Sequence, residues 1–170
     1  MQLVKDSSDI RLAIFGMVEG NGHPYSWSAI FNGFEPGAMA ESGYPGILQY
    51  LSAEPKSSFG IPGARVTHVW CPDRSDAEKV ARASLVPHVT ERAEDVIGQV
   101  DAVIIATDVG HQHLGQALPF FEAGLPVFID KPLADCEEHL REFVRWAAGG
   151  HPFLSSSCMR YTREFEDRSG

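Results

Sequence analysis

The sequence has few cysteines, no excess of basic residues and no long hydrophobic run. Only three cysteines occur, Cys71, Cys136 and Cys158, and no two of them are spaced as a Cys-x-x-Cys pair. This usage indicates reduced thiols in a cytoplasmic protein rather than a disulfide framework or a zinc cluster. No apolar run approaches the roughly 20 residues that a membrane helix needs, so a membrane partner is not expected.

Acidic residues outnumber basic ones, with 23 Asp and Glu against 14 Lys and Arg and a formal net charge of −9. A surface of this sign does not attract nucleic acid or an anionic membrane. The sequence also lacks the Gly-x-Ser-x-Gly elbow of a serine hydrolase. With 170 residues and 44% apolar content, the chain suits one globular domain with a substantial core.

Short apolar segments alternate with helical ones along the chain. Residues 100–106 are nearly all apolar, which is typical of a strand buried on both faces of a parallel sheet. Further strands are predicted at 11–16, 65–71, 85–89, 126–129 and 153–158, and helices at 25–32, 75–83, 91–97, 113–123 and 135–148. This order predicts a single-domain α/β fold with a doubly wound, mostly parallel, Rossmann-like sheet.

Residues 34–63 interrupt the alternation. Glycine and proline recur throughout them, which predicts a loop-rich insertion with one short helix near 47–51. We expect residues 1–160 to form the domain and residues 161–170 to be a tail at a domain boundary.

The carboxyl ends of parallel strands mark the expected binding site, because ligands of such sheets bind outside those ends. Four segments should therefore line one crevice. They are residues 16–24, 71–75, 106–113 and 130–132.

Motifs in this part of the chain resemble the Gfo/Idh/MocA oxidoreductase family. An apolar strand ends in Ala-Thr at Thr107, His113 opens the next helix, Ala-Gly at 123–124 stops it, and Asp130-Lys131-Pro132 stands where the family has Glu-Lys-Pro. The resemblance is carried by residues 64–134. It implies the N-terminal Rossmann domain of a sugar oxidoreductase, with NAD or NADP as its cofactor.

The resemblance also implies two catalytic residues. Lys131 would reach the nicotinamide end of the cofactor and the substrate, where a lysine can orient a hydroxyl or share its proton. Asp130 would position Lys131. The alternative is a solvated lysine that pairs with Asp130 and has no catalytic role.

Cofactor-binding residues are expected in the loops that follow the strands. They are Gly16, Gly20, Gly22, Asp73, Arg74, Thr107 and His113. The glycine loop departs from Gly-x-Gly-x-x-Gly and carries Glu19, an unfavourable charge for a diphosphate site. The alternative for this loop is a glycine turn that binds no ligand.

The residue expected to accept from the adenosine ribose is an acid at the end of the second strand, where this chain has Cys71. Asp73 can replace that acid, and Arg74 beside it would favour a 2′-phosphate, so NAD and NADP both stay open. Cys71 is itself more simply a small buried residue. His111 and His113 are two residues apart and do not share a helix face, so no metal site is expected.

The neighbouring loop residues His23, Tyr25 and Trp27 are further candidates to face cofactor or substrate, although for Trp27 packing against the sheet is favoured. Family enzymes carry a second domain that supplies most of the substrate pocket, and a homodimer or partner chain could take its place. The first expectation is therefore an NAD(P)-dependent oxidoreductase domain for a sugar-like hydroxyl. The alternative is a non-catalytic nucleotide-binding or interaction module, and a third is an unrelated enzyme using His23, His113 and Lys131.

Overall fold

The computed structural model describes residue 4 and residues 6–162 and shows a sheet of six parallel strands. The strands are β1 (Ile10–Phe15), β2 (Ala64–Trp70), β3 (His88–Val89), β4 (Ala102–Ile105), β5 (Val127–Ile129) and β6 (Phe153–Ser155). The helices are α1 (His23–Asn32), α2 (Pro36–Ala40), α3 (Pro45–Ala53), α4 (Arg74–Ala83), α5 (Gly110–Glu122) and α6 (Glu137–Ala148). The sequence-based prediction of a doubly wound α/β fold is confirmed.

The strand order is β3-β2-β1-β4-β5-β6. Strands β1 to β3 extend the sheet to one side and β4 to β6 extend it to the other, so the topological switch point lies between β1 and β4. Successive side chains of a strand point to opposite faces. In β1, Leu12 and Ile14 join the core on one face, while Ala13 and Phe15 join the core on the other. Burial on both faces explains why β1 and β4 are almost entirely apolar.

Each face of the sheet has its own helical layer. Tyr25 and Ala29 of α1 and Val80 of α4 belong to the first core. Phe120 of α5 and Phe143 of α6 belong to the second. The first layer covers the β1–β2–β3 half, which leaves the same face of β4, β5 and β6 less covered.

The insertion at 34–63 contains more regular structure than its composition predicts. Two helices, α2 and α3, and a 3-10 turn at Lys56–Ser58 occupy it, so the prediction of a mostly irregular segment is wrong. Both helices start with a proline in the first turn, and the Glu35 carboxylate caps α2 by accepting from the Gly37 and Ala38 amides. Proline fits a first turn because that N–H has no partner there.

Smaller differences concern element ends. The predicted strand at 85–89 shortens to His88–Val89, and the predicted helix at 91–97 is a 3-10 turn at Ala93–Val96. From residue 163 onward, the expected tail lies outside the described residues. Within those residues, no helix has the length and apolarity required to cross a bilayer.

Candidate functional site

The loops that leave the carboxyl ends of β1, β4 and β5 contact one another directly. Asn21, in the loop after β1, donates from Nδ2 to the carbonyl of Ala106 at 3.1 Å. His113 bridges the loops after β4 and β5, and His23 reaches Asp130. Residues 71–75 leave β2, the parallel neighbour of β1, at the same edge. The topology therefore brings the four predicted segments to one edge of the sheet.

Gly16 lies where the backbone after β1 closely approaches the backbone after β4. Its φ is +138°, and a Cβ atom would lie 3.1 Å from the backbone nitrogen of Thr107 and 3.2 Å from the carbonyl carbon of Ala106. An L-side chain is therefore disfavoured twice, by the backbone conformation and by the contact. Thr107, beside Gly16, is buried and donates from Oγ1 to Oε1 of Gln116 at 3.1 Å.

The loop after Gly16 offers amides for an anion, but the first turn of α1 does not. The His23 amide donates to Oδ1 of Asn21 at 2.9 Å, Pro24 has no N–H, and the Tyr25 amide donates to the Gly22 carbonyl at 3.1 Å. The N–H groups of Gly20 and Gly22 have no acceptor among the described residues; Gly20 is exposed, whereas Gly22 is buried against Tyr44 and Ile47. The helix terminus therefore has no free amide for an anion, and exposed Glu19 opposes an anion at this loop.

At the end of β2, the side chains of Asp73 and Arg74 are already engaged. Asp73 caps α4 by accepting from the Ser75 amide at 2.8 Å, and this hydrogen bond lowers the pKa of the Asp73 carboxyl. Arg74 pairs with Glu78 at 2.9 Å and also with Glu91. All these groups are exposed. Asp73 remains able to accept from a ribose hydroxyl, while the positive charge of Arg74 is offset by two carboxylates.

Cys71, aligned with the ribose-binding acid, is buried in the first core. Burial raises the pKa of its thiol to about 12, with Asp76 adding to the shift. This placement agrees with the alternative of a small buried residue.

We expect Cys71 to be inert toward thiol reagents while Cys136 reacts. Because the thiolate is the reactive species, exposed Cys136 should be labelled on the order of 100-fold faster than Cys71 in the native protein at pH 8. Peptide mapping after timed alkylation measures the two rates separately from that of Cys158. Equal rates at Cys71 and Cys136 would contradict the burial described here.

His113 is fully buried, and its ring ties together the loops after β4 and β5. Nδ1 lies 2.9 Å from the carbonyl oxygen of Pro132, and Nε2 lies 2.9 Å from the carbonyl oxygen of Thr107. Both ring nitrogens therefore bind protein atoms. A direct cofactor contact stays a prediction, and these contacts favour a role in holding the Lys131-Pro132 segment in place.

Replacing His113 by leucine should lower the free energy of unfolding by about 1–3 kcal/mol, because the hydrogen bonds of the buried imidazole to the loops after β4 and β5 are lost while the volume is roughly kept. Urea denaturation measures the change. The matched variant His111→Leu, two residues away on the exposed surface, should change the stability by no more than about 0.5 kcal/mol. Similar losses in both variants would show that the ring does not tie the loops.

Asp130 and Lys131 follow β5, and the carboxylate of Asp130 contacts both His23 and the main chain of Lys131. Asp130 is 2% exposed; Oδ1 accepts from the backbone N–H of Lys131 at 2.7 Å, and Oδ2 lies 2.6 Å from Nδ1 of His23. The peptide bond between Lys131 and Pro132 is cis. Lys131 is exposed, and its ammonium forms no ion pair within the described part of the chain. Asp130 thus contacts Lys131 through the main chain, and not through the side-chain pairing considered from the sequence.

A cleft of about 790 Å³ opens beside these residues, along the less covered face of β4, β5 and β6. His23, Asp130, Lys131, Ser156 and Ser157 form its polar end, where the strands terminate. The remaining walls are mainly apolar and include Leu12, Trp27, Phe31, Ile104, Phe128 and Leu154. Sequence reasoning placed His23 and Trp27 only as general candidates, because the partner Asp130 is 107 residues away along the chain.

The Gfo/Idh/MocA oxidoreductase family, which has an NAD-binding Rossmann fold, matches residues 43–153. No curated protein matches the chain at a significant level.

Solved structures with a similar fold include several dehydrogenases. One is scyllo-inositol dehydrogenase from Lactobacillus casei with bound NAD(H) and scyllo-inositol, with a TM-score of 0.64 and 18% identity over 94% of this chain and 39% of that chain. Another is myo-inositol 2-dehydrogenase from Lactobacillus plantarum, with a TM-score of 0.63 and 19% identity over 94% and 40%. A third is UDP-N-acetylglucosamine 3-dehydrogenase from Acidithiobacillus ferrooxidans, with a TM-score of 0.56 and 18% identity over 86% and 38%. At these identities the likeness shows a shared fold, and the chain spans about two fifths of the length of these enzymes.

Proposed function

Since this chain belongs to the Gfo/Idh/MocA oxidoreductase family, we propose that it is the nucleotide-binding part of an NAD(P)-dependent oxidoreductase acting on a sugar-like hydroxyl or carbonyl. The observation that carries the proposal is the shared edge at which the Gly16–Gly22 loop, Asp130 and Lys131 meet beside an open cleft. The solved relatives with bound inositols support a polyol as the substrate class. When bound, the nicotinamide cofactor supplies the hydride chemistry.

In this proposal, the chain's own residues bind and orient. The amides of Gly20 and Gly22 hold the diphosphate, and Asp73 accepts from the adenosine ribose. Lys131 directs its ammonium to the substrate oxygen, while Asp130 fixes the Lys131 backbone. A second domain, a second copy or a partner chain completes the substrate pocket, because the polar end of the cleft is open to solvent.

NAD is the proposed cofactor rather than NADP. Arg74 already pairs with Glu78 and Glu91, and the Asp73 carboxylate repels a 2′-phosphate. NADH should therefore bind more tightly than NADPH by at least about tenfold, or 1.4 kcal/mol.

The proposal is tested by titrating the protein with NADH and with NADPH while nicotinamide fluorescence is recorded. Oxidation of scyllo-inositol, myo-inositol and common hexoses is assayed in parallel. Saturable NADH binding and NAD-dependent turnover of at least one polyol is the expected result. If NADH and NADPH both fail to bind, the proposal is wrong.

A second function, a non-catalytic nucleotide-binding or interaction module, is favoured by two observations. Glu19 and the internally satisfied first turn of α1 weaken the usual diphosphate site. NADH binding without turnover of any polyol would support this function over the first.

A further inference from the structure

The imidazole of His23 is held in a single orientation at the polar end of the cleft. Its ring stacks on that of Trp27, with centroids 4.5 Å apart and planes inclined by 12°. The Trp27 ring in turn packs edge-on against Phe128 in the cleft wall, at 5.7 Å and 77°. Nδ1 lies 2.6 Å from Oδ2 of Asp130. Stacking and hydrogen bonding together fix both the plane and the direction of the ring.

The partner of Nδ1 determines where the ring carries its proton. Asp130 is almost fully buried, and a buried carboxylate is stabilised only by donors, which here are the Lys131 amide and Nδ1 of His23. Nδ1 must then bear the hydrogen, because an ionised carboxylate cannot donate. In the neutral ring this leaves the lone pair on Nε2.

Nε2 is available to a ligand. It has no hydrogen-bond partner among residues 6–162, and the His23 side chain is 33% exposed. His23 and Lys131 line the same cleft, whose other walls are mainly apolar. A base and a cation therefore share the polar end of the cleft, an arrangement suited to a substrate hydroxyl.

We propose that His23 is the proton acceptor of this site and that Asp130 is its positioning residue, an inference that rests on the proposed oxidoreductase function. During oxidation, the hydroxyl proton would move to Nε2 and the carbon–oxygen bond would become a carbonyl, with bound NAD as the oxidant that would accept the hydride. Asp130 stabilises the resulting imidazolium, which returns its proton to water. Lys131 holds the substrate oxygen through this change.

The first test determines which ring nitrogen of His23 carries the hydrogen. Long-range 1H–15N correlation spectra of the 15N-labelled chain are recorded at a pH where the rings are neutral. The His23 signals are assigned by comparison with the variant His23→Gln. We expect the Nδ1–H form for His23. Asp130→Asn should shift the ring toward the Nε2–H form. The control Asp135→Asn changes the exposed pair of Asp135 with His111, in which the atoms lie 3.3 Å apart, and should leave His23 unaltered. An Nε2–H form in the unmodified chain would overturn the inference.

The second test measures turnover of the polyol identified above. His23→Ala should lower kcat by about 10²–10⁴-fold, and added imidazole should restore part of the loss. NADH affinity should stay within twofold, and His111→Ala should leave turnover unchanged. Turnover of His23→Ala within twofold of the unmodified chain overturns the inference and leaves the proposed function standing. Absence of NADH binding, or NADH binding without turnover of any polyol by the unmodified chain, overturns the proposed function together with the inference.

Discussion

Replacing Lys131 by alanine is expected to lower kcat/KM for polyol oxidation by about 10²–10⁴-fold, the range typical of a positioned proton-transfer or charge-stabilising group. Lys131 is exposed and makes no side-chain ion pair among the described residues, so the fold should tolerate the change. Thermal unfolding should confirm an unaltered protein, and NADH affinity should fall only slightly. Steady-state kinetics on the purified variant measure the loss.

The matched control is Lys79→Ala. Lys79 is also an exposed lysine, but it lies in α4 and pairs with Asp76 at 3.1 Å, away from the cleft. It should retain full turnover. If Lys131→Ala retained full activity as well, Lys131 would have no part in the mechanism.

Gly16→Val is expected to be the most damaging change in the loop. A β-branched side chain at a φ of +138° meets the backbone of Ala106 and Thr107, the two residues that directly follow β4. Backbone strain and overpacking together should lower the free energy of unfolding by about 2–5 kcal/mol. NADH binding should weaken at temperatures where the variant is still folded, because the loop amides are displaced.

Gly115→Ala is the comparison for this variant. Gly115 lies inside α5, has no positive φ and has no atom within 4 Å of an added Cβ. Alanine there should raise the stability by about 0.5–1 kcal/mol, because alanine is the better helix former. Urea denaturation of both variants separates a general intolerance of glycine replacement from the specific contact at Gly16. Unchanged stability and NADH affinity in Gly16→Val would contradict the loop geometry.

The architecture was predictable because burial on both faces leaves a clear mark on the strands. The run Val103-Ile-Ile-Ala and the alternating helices predicted the parallel sheet, and the sheet in turn placed Asp130 and Lys131 at its carboxyl edge. In the 34–63 insertion, α2 was missed and α3 was predicted only over residues 47–51, although Pro36 and Pro45 are typical first-turn residues. Their glycines and prolines mark turns and helix starts equally well, and composition alone does not separate the two.

The candidate site was only partly predictable. The Asp130–His23 contact depends on the tertiary structure, since no local pattern pairs residues from the first and fifth strands' loops. The ion pair of Arg74 with Glu78 joins residues four apart in one helix, so the sequence could have predicted it. The ion pair of Arg74 with Glu91 depends on the tertiary structure and could not be predicted. The complete burial of His113 likewise depends on the packing of α5 against the sheet.

The central claim is that the four predicted loop segments share one edge of the sheet, at the carboxyl ends of the parallel strands. Amide mapping of the NADH complex tests this claim most directly. In 1H–15N spectra recorded during a titration, we expect the largest shifts in residues 16–24, 71–75, 106–113 and 130–132. Shifts confined to the opposite end of the sheet, around Arg11, Arg65 and Gln99, would contradict the account.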